Sequence, residues 1–430
     1  MNVTLLIYTH KVTPRVRYIF KHIFTSVLGL TVAFTSDIET FVAHRGPKLS
    51  YTHKQLGNEL HFGRVELLFE QGINDTSIQV KDWNGVPCFF NVKSSVSRLP
   101  YDIFAASFYL LSRYEEYLPH VKDTFGRFPS SESLAFQNDF LQIPVIDEWI
   151  ERLREVFVAY YPDVPLKPLV FRTNLTVKVP QVFVYRKIGF LRTVGGYVQD
   201  LVALRFIEVF DRTKVLLGIR KDPYDVFTWL VNFQKQSEHK FNVLFELGDQ
   251  TSETTNVRYN KQRFQYIIKM MGDYCNVGLL ASVMSSKGVT ELKKEKNRLE
   301  AVVNKPLHIT QFANHQFKIP KSYRTLLDQE VTKDYSMGYP GEVGFRAGSC
   351  RPFLFYDLDY EMQTPLLLTP VSLPLEAVIN VNDKTVNFVE VNTVKKRVQK
   401  LKGVLAVSCT NKILSVSIWR SLLKKVTTTS

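Results

Sequence analysis

Residues 344–365, GFRAGSCRPFLFYDLDYEMQTP, concentrate side chains that could do chemistry. Arg346, Arg351, Asp357, Asp359 and Glu361 sit among Phe345, Phe353, Phe355 and Tyr356, with Ala347, Gly348 and Ser349 at a turn. Gly348 admits a backbone conformation closed to larger residues. A charged cluster on a glycine-containing loop that runs into an aromatic strand has the makings of the lip of a carbohydrate or acyl-transfer pocket. On a strand, Asp357, Asp359 and Glu361 would point to one side. No histidine lies near them in sequence, so a turn charge-paired with Arg346 or Arg351 is the simpler expectation than a metal site.

Other candidates are more scattered. His308 and His315 are seven apart, which places them on one face if that segment is helical, but no carboxylate stands ready to join them as a ligand. His44, His53 and His61 lie in polar, turn-rich sequence and read as surface histidines. Glu115 and Glu116 are adjacent, so on a helix they face different directions and cannot act as an acid–base pair. Asp249 follows an apolar run, at a strand end where it could cap a turn or helix. Ser349 and Cys350 lack a placed histidine base. Cys88, Cys275, Cys350 and Cys409 form no CxxC pair and fit neither a zinc ribbon nor a disulfide framework, so buried free thiols are expected.

The elements that must position these residues follow from the hydrophobic pattern. Residues 3–8 and 30–35 read as strands, and 13–28, 103–118 and 146–160 as helices, which makes 1–165 an N-terminal α/β domain. The stretch YPDVPLKP at 161–168 places three prolines where no helix can continue and marks a boundary. Beyond it, strands at 171–179, 241–247, 277–283 and 404–409 alternate with helices at 193–210, 261–274, 290–303, 384–402 and 418–426. That alternation predicts a parallel sheet with crossovers over 166–430, closed or nearly closed into a β/α barrel of about seven strands, with chemistry at the C-terminal strand ends.

The chain has 430 residues, 45% hydrophobic and 13% aromatic, including 31 Phe and 20 Tyr, which supplies large cores and surfaces able to stack on sugars. Its net charge of +14 rests on basic runs at 293–296, 395–397 and 424–425 that fall inside helical patterns. These are expected to be solvated helix faces, and no nucleic-acid motif is visible. The N-terminus has no clean secretory core, and 27–34 is too short to span a bilayer, so a cytoplasmic protein without a membrane span is expected.

Several long segments resemble a family of two-domain bacterial polysaccharide deacetylases: LLIYTHKVTPRVRYIFKHI, residues 99–147, GFLRTVGG at 189–196, and DYSMGYPGEVGFRAGSCRPFLFYDLDYEMQTPL at 334–366. The resemblance implies an N-terminal domain of unknown role joined to a deacetylase-like distorted β/α barrel. It also implies metal-assisted removal of N- or O-acetyl groups from a polysaccharide, with zinc or another divalent metal held by one Asp and two His, an Asp base and a His acid. Matched residue by residue, those positions are replaced. The D-x-D pair after Thr176-Val177 reads Lys178 and Pro180, the histidine of the second motif is Leu280, and the C-terminal histidine before Asn411 is Thr410.

The expectation is therefore a deacetylase-like protein without a metal or other cofactor. It would bind a polysaccharide or oligosaccharide, or a protein partner in polysaccharide assembly, through a groove carrying Arg346, Arg351, Asp357, Asp359 and Asn411. The alternative is an active metal-dependent deacetylase whose ligands come from Asp249, His308, His315, Asp357 and Asp359. A scaffold that binds anionic polymer through its charge is a third possibility.

Overall fold

The computed structural model describes residues 3–186, 189–249, 256–380 and 383–427. Strand β1 (Thr4–Tyr8) leads into helix α1 (Pro14–Phe20). The Thr13 hydroxyl accepts the Val16 N–H, and Pro14 occupies the first turn, where its missing N–H costs nothing. The expected single helix over 13–28 instead widens into a π-helical segment over Lys21–Val27. Strands β2 (Thr31–Thr35), β3 (Lys48–Thr52) and β4 (Leu60–Gly63), with helix α2 (Ile38–Ala43) between the first two, complete a parallel sheet in the order β2-β1-β3-β4. A short hairpin of β5 (Lys81–Trp83) and β6 (Val86–Cys88) follows.

Helix α3 (Ile103–Leu111) is buried on every side, as its largely apolar sequence requires, and Asp102 caps it by accepting the Ala105 N–H. It ends earlier than the pattern over 103–118 predicts, because Arg113 takes a left-handed conformation with φ 55°. Helices α4 (Leu134–Gln137) and α5 (Val145–Tyr160) close this part of the chain.

The second sheet begins with β7 (Arg172–Val179). The helix expected at 193–210 is two helices, α6 (Phe190–Val202) and α7 (Phe206–Leu216), separated where Leu204 turns left-handed. Helix α8 (Phe227–Lys235), β8 (Asn242–Phe245), α9 (Gln262–Tyr274), β9 (Asn276–Ala281), α10 (Val289–Val303), β10 (Ile309–Phe312), α11 (Lys321–Asp328) and β11 (Lys333–Asp334) continue the alternation. The antiparallel pair β12 (Phe353–Asp357) and β13 (Met362–Leu368) comes next, then β14 (Leu373–Pro374), α12 (Leu375–Val378) and the small hairpin β15 (Ile379–Asn380) with β16 (Thr385–Val386). Helix α13 (Phe388–Lys400), β17 (Val404–Thr410) and α14 (Ser417–Thr427) end the chain's described part.

This sheet runs β12-β13-β11-β10-β9-β8-β7-β17-β14. The expected closed or nearly closed seven-stranded barrel is thus corrected: the described residues form nine strands whose ladders do not close. The reason lies in 369–374. Thr369 donates to Asp334 O, Val371 to Met337 O and Ser372 to Ala406 O, so the chain crosses from the β11 flank to the β17 flank by single bonds. Pro370 and Pro374 withhold the donors a continuous ladder needs. One apolar core runs through both sheets, from Phe20, Phe104 and Trp149 to Phe355, Val407 and Trp419.

Candidate functional site

The charged residues of 344–361 turn inward to other parts of the chain. Arg346, 3% exposed, donates to both carboxylate oxygens of Glu116 at 2.9 and 2.7 Å and to Gly338 O at 3.0 Å. Arg113 shares Glu116 at 2.8 Å, pairs with Glu115 at 2.7 Å and donates to the Arg346 carbonyl. Glu115 and Glu116, expected to face apart, converge on this one guanidinium. Burial opposes ionisation of Glu116, but Arg346 and Arg113 outweigh it and hold the carboxyl below its usual range.

Asp147 of α5 accepts the Ser349 hydroxyl at 2.9 Å and the Cys350 N–H at 2.8 Å, and pairs with Arg351 at 2.8 Å. Arg351 also donates to Leu401 O at 2.7 Å. Glu361 accepts Arg15 Nε at 2.9 Å and the Tyr356 hydroxyl at 2.9 Å. Asp357 takes both hydrogen bonds of Arg324, at 2.6 and 2.7 Å, and Asp359 takes a third at 2.8 Å. The pairing expected for Asp357 with Arg346 or Arg351 is therefore made with Arg324. The strand ends at Asp357, so Asp359 and Glu361 lie on the following turn and not on a shared strand face.

Gly348 sits at φ +67°, and a Cβ there would lie 2.7 Å from Leu110 Cδ1. Its carbonyl accepts the Ile146 N–H at 3.0 Å, while Phe345 N–H donates to Leu141 O at 2.8 Å. The loop is thus tied by its backbone, as well as by its charges, to residues 102–160.

The strand ends that the deacetylase resemblance singles out lie elsewhere. Lys178 is flanked in register by Thr410 of β17 and Leu244 of β8, and its ammonium stands 3.5 Å from Glu376. Leu244, Leu280 and Ala313 form an apolar cluster of their own, packed by Ile309. Pro180 follows β7 immediately. Asn411 is buried. It donates its side-chain amide to Gln181 O at 2.8 Å and Tyr224 O at 3.2 Å, and its backbone N–H to Lys178 O at 2.9 Å, which ties the ends of β7 and β17 together.

Sequence inspection overlooked three residues around these ends. Gln311, in register with Leu280, is fully buried with neither side-chain amide atom hydrogen-bonded, and Ser408 Oγ, in register with Thr176, is likewise unpartnered. Glu246, just past β8, is pushed up to about 8 by burial and by Glu295 nearby. Nothing in one sequence distinguishes such inward polar residues from ordinary strand residues. Only the register of the parallel ladders reveals them.

The alternative ligand set is not brought together. Asp249 pairs with Lys294 and, at 2.6 Å, with Arg298 of α10. His308 precedes β10 and is exposed, whereas His315 follows its other end, so the two straddle a strand and do not share a helix face. His315 is buried with Nδ1 3.0 Å from Ser336 O, and burial, reinforced by the Lys178 charge, pushes it down to about 3. Asp357 and Asp359 belong to Arg324. Among the described residues no three His, Cys, Asp or Glu side chains group to hold a metal ion. The cationic Lys178 and the leucine cluster do not fit a divalent cation.

One other expectation needs correction. His61 is fully buried and 3.0 Å from Ser50 Oγ, because the edge strand β4 is covered along its whole length. His53 is exposed beside Glu66, and His44 is half-buried. All four cysteines are free and buried. No helix among the described residues is long and apolar enough to cross a membrane.

Residues 5–162 match the model of DUF7033, a family of unknown function. Among curated proteins none matches this sequence. Similar solved structures include a Mycobacterium smegmatis protein that carries a polysaccharide deacetylase assignment, at 10% identity and TM-score 0.40 over 61% of this chain and 86% of that one. They also include a Bacillus anthracis protein described as a CE4 family pseudoenzyme, at 10% identity and TM-score 0.30 over 60% of this chain and 62% of that one. A mutant CE4 family pseudoenzyme with restored enzymatic activity matches at 9% identity and TM-score 0.31, over 60% of this chain and 64% of that one.

Proposed function

We propose that residues 166–430 form a deacetylase-like unit that binds a saccharide at its C-terminal strand ends without hydrolysing it, and that 1–165 is a second unit docked against it. One observation carries this. Where the deacetylase resemblance calls for a carboxylate and imidazoles around a dication, the chain has the Lys178–Glu376 ion pair beside the Leu244–Leu280–Ala313 cluster. A fixed ammonium repels a cation, and leucine offers no lone pair.

A binding role is supported by buried polar groups that have no protein partner on these strands. The Gln311 amide has two donors and an acceptor to offer, and Ser408 a hydroxyl. Buried polar groups of this kind are normally satisfied by protein, water or ligand. Sugar hydroxyls match them in both donor and acceptor capacity. Asn411 supports the site indirectly by tying the ends of β7 and β17, whereas Arg346, Arg351, Asp357 and Asp359 hold the 344–361 loop.

The test combines three measurements on the purified protein: zinc content, acetate release from acetylated chitooligosaccharides, and the melting temperature with and without those sugars. The expected result is metal far below one ion per chain, no acetate, and a melting temperature raised by sugar through mass action. Lys178→Ala should abolish that rise. Stoichiometric zinc with acetate release would overturn the proposal, as would a melting temperature indifferent to every sugar tried.

A further inference from the structure

Helices α6 and α7 form a hairpin whose polarity is inverted. Its interior is polar: Arg212 donates to Asp200 at 2.6 Å with both side chains nine-tenths buried, Tyr197 and Thr213 hydroxyls meet at 2.9 Å, and Gly196 gives way to the Arg212 guanidinium. Its exterior is apolar. On α6, Phe190, Val194, Val198 and Val202 recur at intervals of four and face solvent, and on the α7 side Ile207, Phe210 and Leu217 do the same at helical spacing. Phe190 is 81% exposed, Val202 80% and Ile207 76%. Scattered exposed apolar residues are ordinary, but two contiguous stripes on one hairpin mark an interaction surface.

The charges say what covers it. Residues 186–221 carry eight Lys or Arg against three Asp or Glu. The cations cluster at the hairpin's ends: Arg205 lies at the turn, and Lys214, Arg220 and Lys221 at the end of α7, all exposed. An apolar stripe bordered by cations is complementary to an anionic lipid surface, where the stripe enters the acyl boundary and the cations meet headgroup phosphates. The hairpin's helices are 13 and 11 residues long, enough to lie in an interface but not to span the hydrocarbon. We propose that the α6–α7 hairpin is an interfacial anchor that lays its apolar face into an anionic bilayer.

The experiment is co-sedimentation of the full chain with phosphatidylcholine–phosphatidylglycerol vesicles and with phosphatidylcholine vesicles alone, at low and high salt. Binding is expected to the mixed vesicles, at least about tenfold weaker to neutral ones, and weakened by salt. The variant Phe190→Ser/Ile207→Ser/Phe210→Ser changes only exposed side chains. It should keep its circular dichroism and bind the mixed vesicles at least about tenfold more weakly. The variant Arg220→Glu/Lys221→Glu should lose the preference for anionic lipid. No vesicle binding at low salt would overturn the proposal, as would unchanged binding of the triple Ser variant. So would a dimer in sedimentation velocity that the triple Ser variant dissolves, which would make a second copy of the chain the cover.

Discussion

Glu116→Ala should be among the most damaging single substitutions in this chain. The side chain is buried and takes two hydrogen bonds from Arg346 and one from Arg113. Removing it leaves Arg346 buried with one carbonyl acceptor, Gly338 O, and the rings of Phe317 and Tyr339 at 4.6 and 4.9 Å. Arg113 keeps Glu115. Breaking one side of a buried ion pair costs about 3–5 kcal/mol, so about 4 kcal/mol is expected here. Arg346→Met should cost less, about 2 kcal/mol, because Glu116 retains Arg113 and the removed charge no longer needs solvating. The double variant should cost clearly less than the sum of the two.

Urea unfolding followed by tryptophan fluorescence measures all three. The pH dependence gives an independent check. With its carboxyl held below the usual 4.5, Glu116 contributes stability that is complete above that pH and is lost as pH falls through the depressed value. Wild-type and Glu116→Ala should therefore converge in stability under acid. A cost below about 1 kcal/mol at neutral pH, or strict additivity with Arg346→Met, would refute the idea that this buried triad joins the two halves of the chain.

Gly348→Ala should destabilise by about 1–3 kcal/mol in the same assay, because its φ of +67° disfavours a side chain and the new Cβ would press on Leu110. Glu246→Gln should instead stabilise, in a pH-dependent way. The folded carboxyl titrates near 8 and the unfolded one near 4.5, so ionisation costs the wild-type increasing stability as pH rises between those values, levelling off above about 8. Paired urea titrations at pH 5 and pH 8 should show little gain at the first and a clear gain at the second. Tyr18→Phe, which removes the hydroxyl donated to Leu354 O at 2.7 Å, should cost about 1 kcal/mol in denaturant unfolding.

Much of the architecture was legible because long apolar periods leave few choices. The strand over Arg172–Val179 and the helices at Val145–Tyr160, Gln262–Tyr274 and Val289–Val303 lie within a residue or two of their expected spans. Breaks made by single left-handed residues were not legible. Arg113 and Leu204 carry no glycine-like signature, yet each ends a helix that hydrophobic spacing would continue. That the ladders of the second sheet stay open was equally hidden, since it depends on how the backbone of 369–374 shares its few donors between two flanks. The site was least legible of all. Lys178, Leu280 and Thr410 could be picked out through the resemblance, but that Gln311 stands in register with Leu280 with its buried amide unpartnered is visible only in the structure.

The stretch 344–365 shows why charge and glycine on a loop do not by themselves make a pocket. Arg346 reaches Glu116, Arg351 reaches Asp147 and Glu361 reaches Arg15, so three of its five charged residues are held by side chains at least 200 positions earlier. Each would lose its ion-pair partner if the first sheet and its helices were absent. A chain can therefore retain this segment for folding alone, whatever stands at its strand ends. The site proposed around Lys178 and Leu280 and the packing that Arg346 secures are then separate properties of one fold, and they should respond separately to substitution. Lys178→Ala should silence sugar-dependent stabilisation while leaving the Glu116–Arg346–Arg113 contacts intact, its own cost in urea unfolding coming from Glu376, whose carboxylate oxygens are buried. Glu116→Ala should do the reverse wherever the protein remains folded.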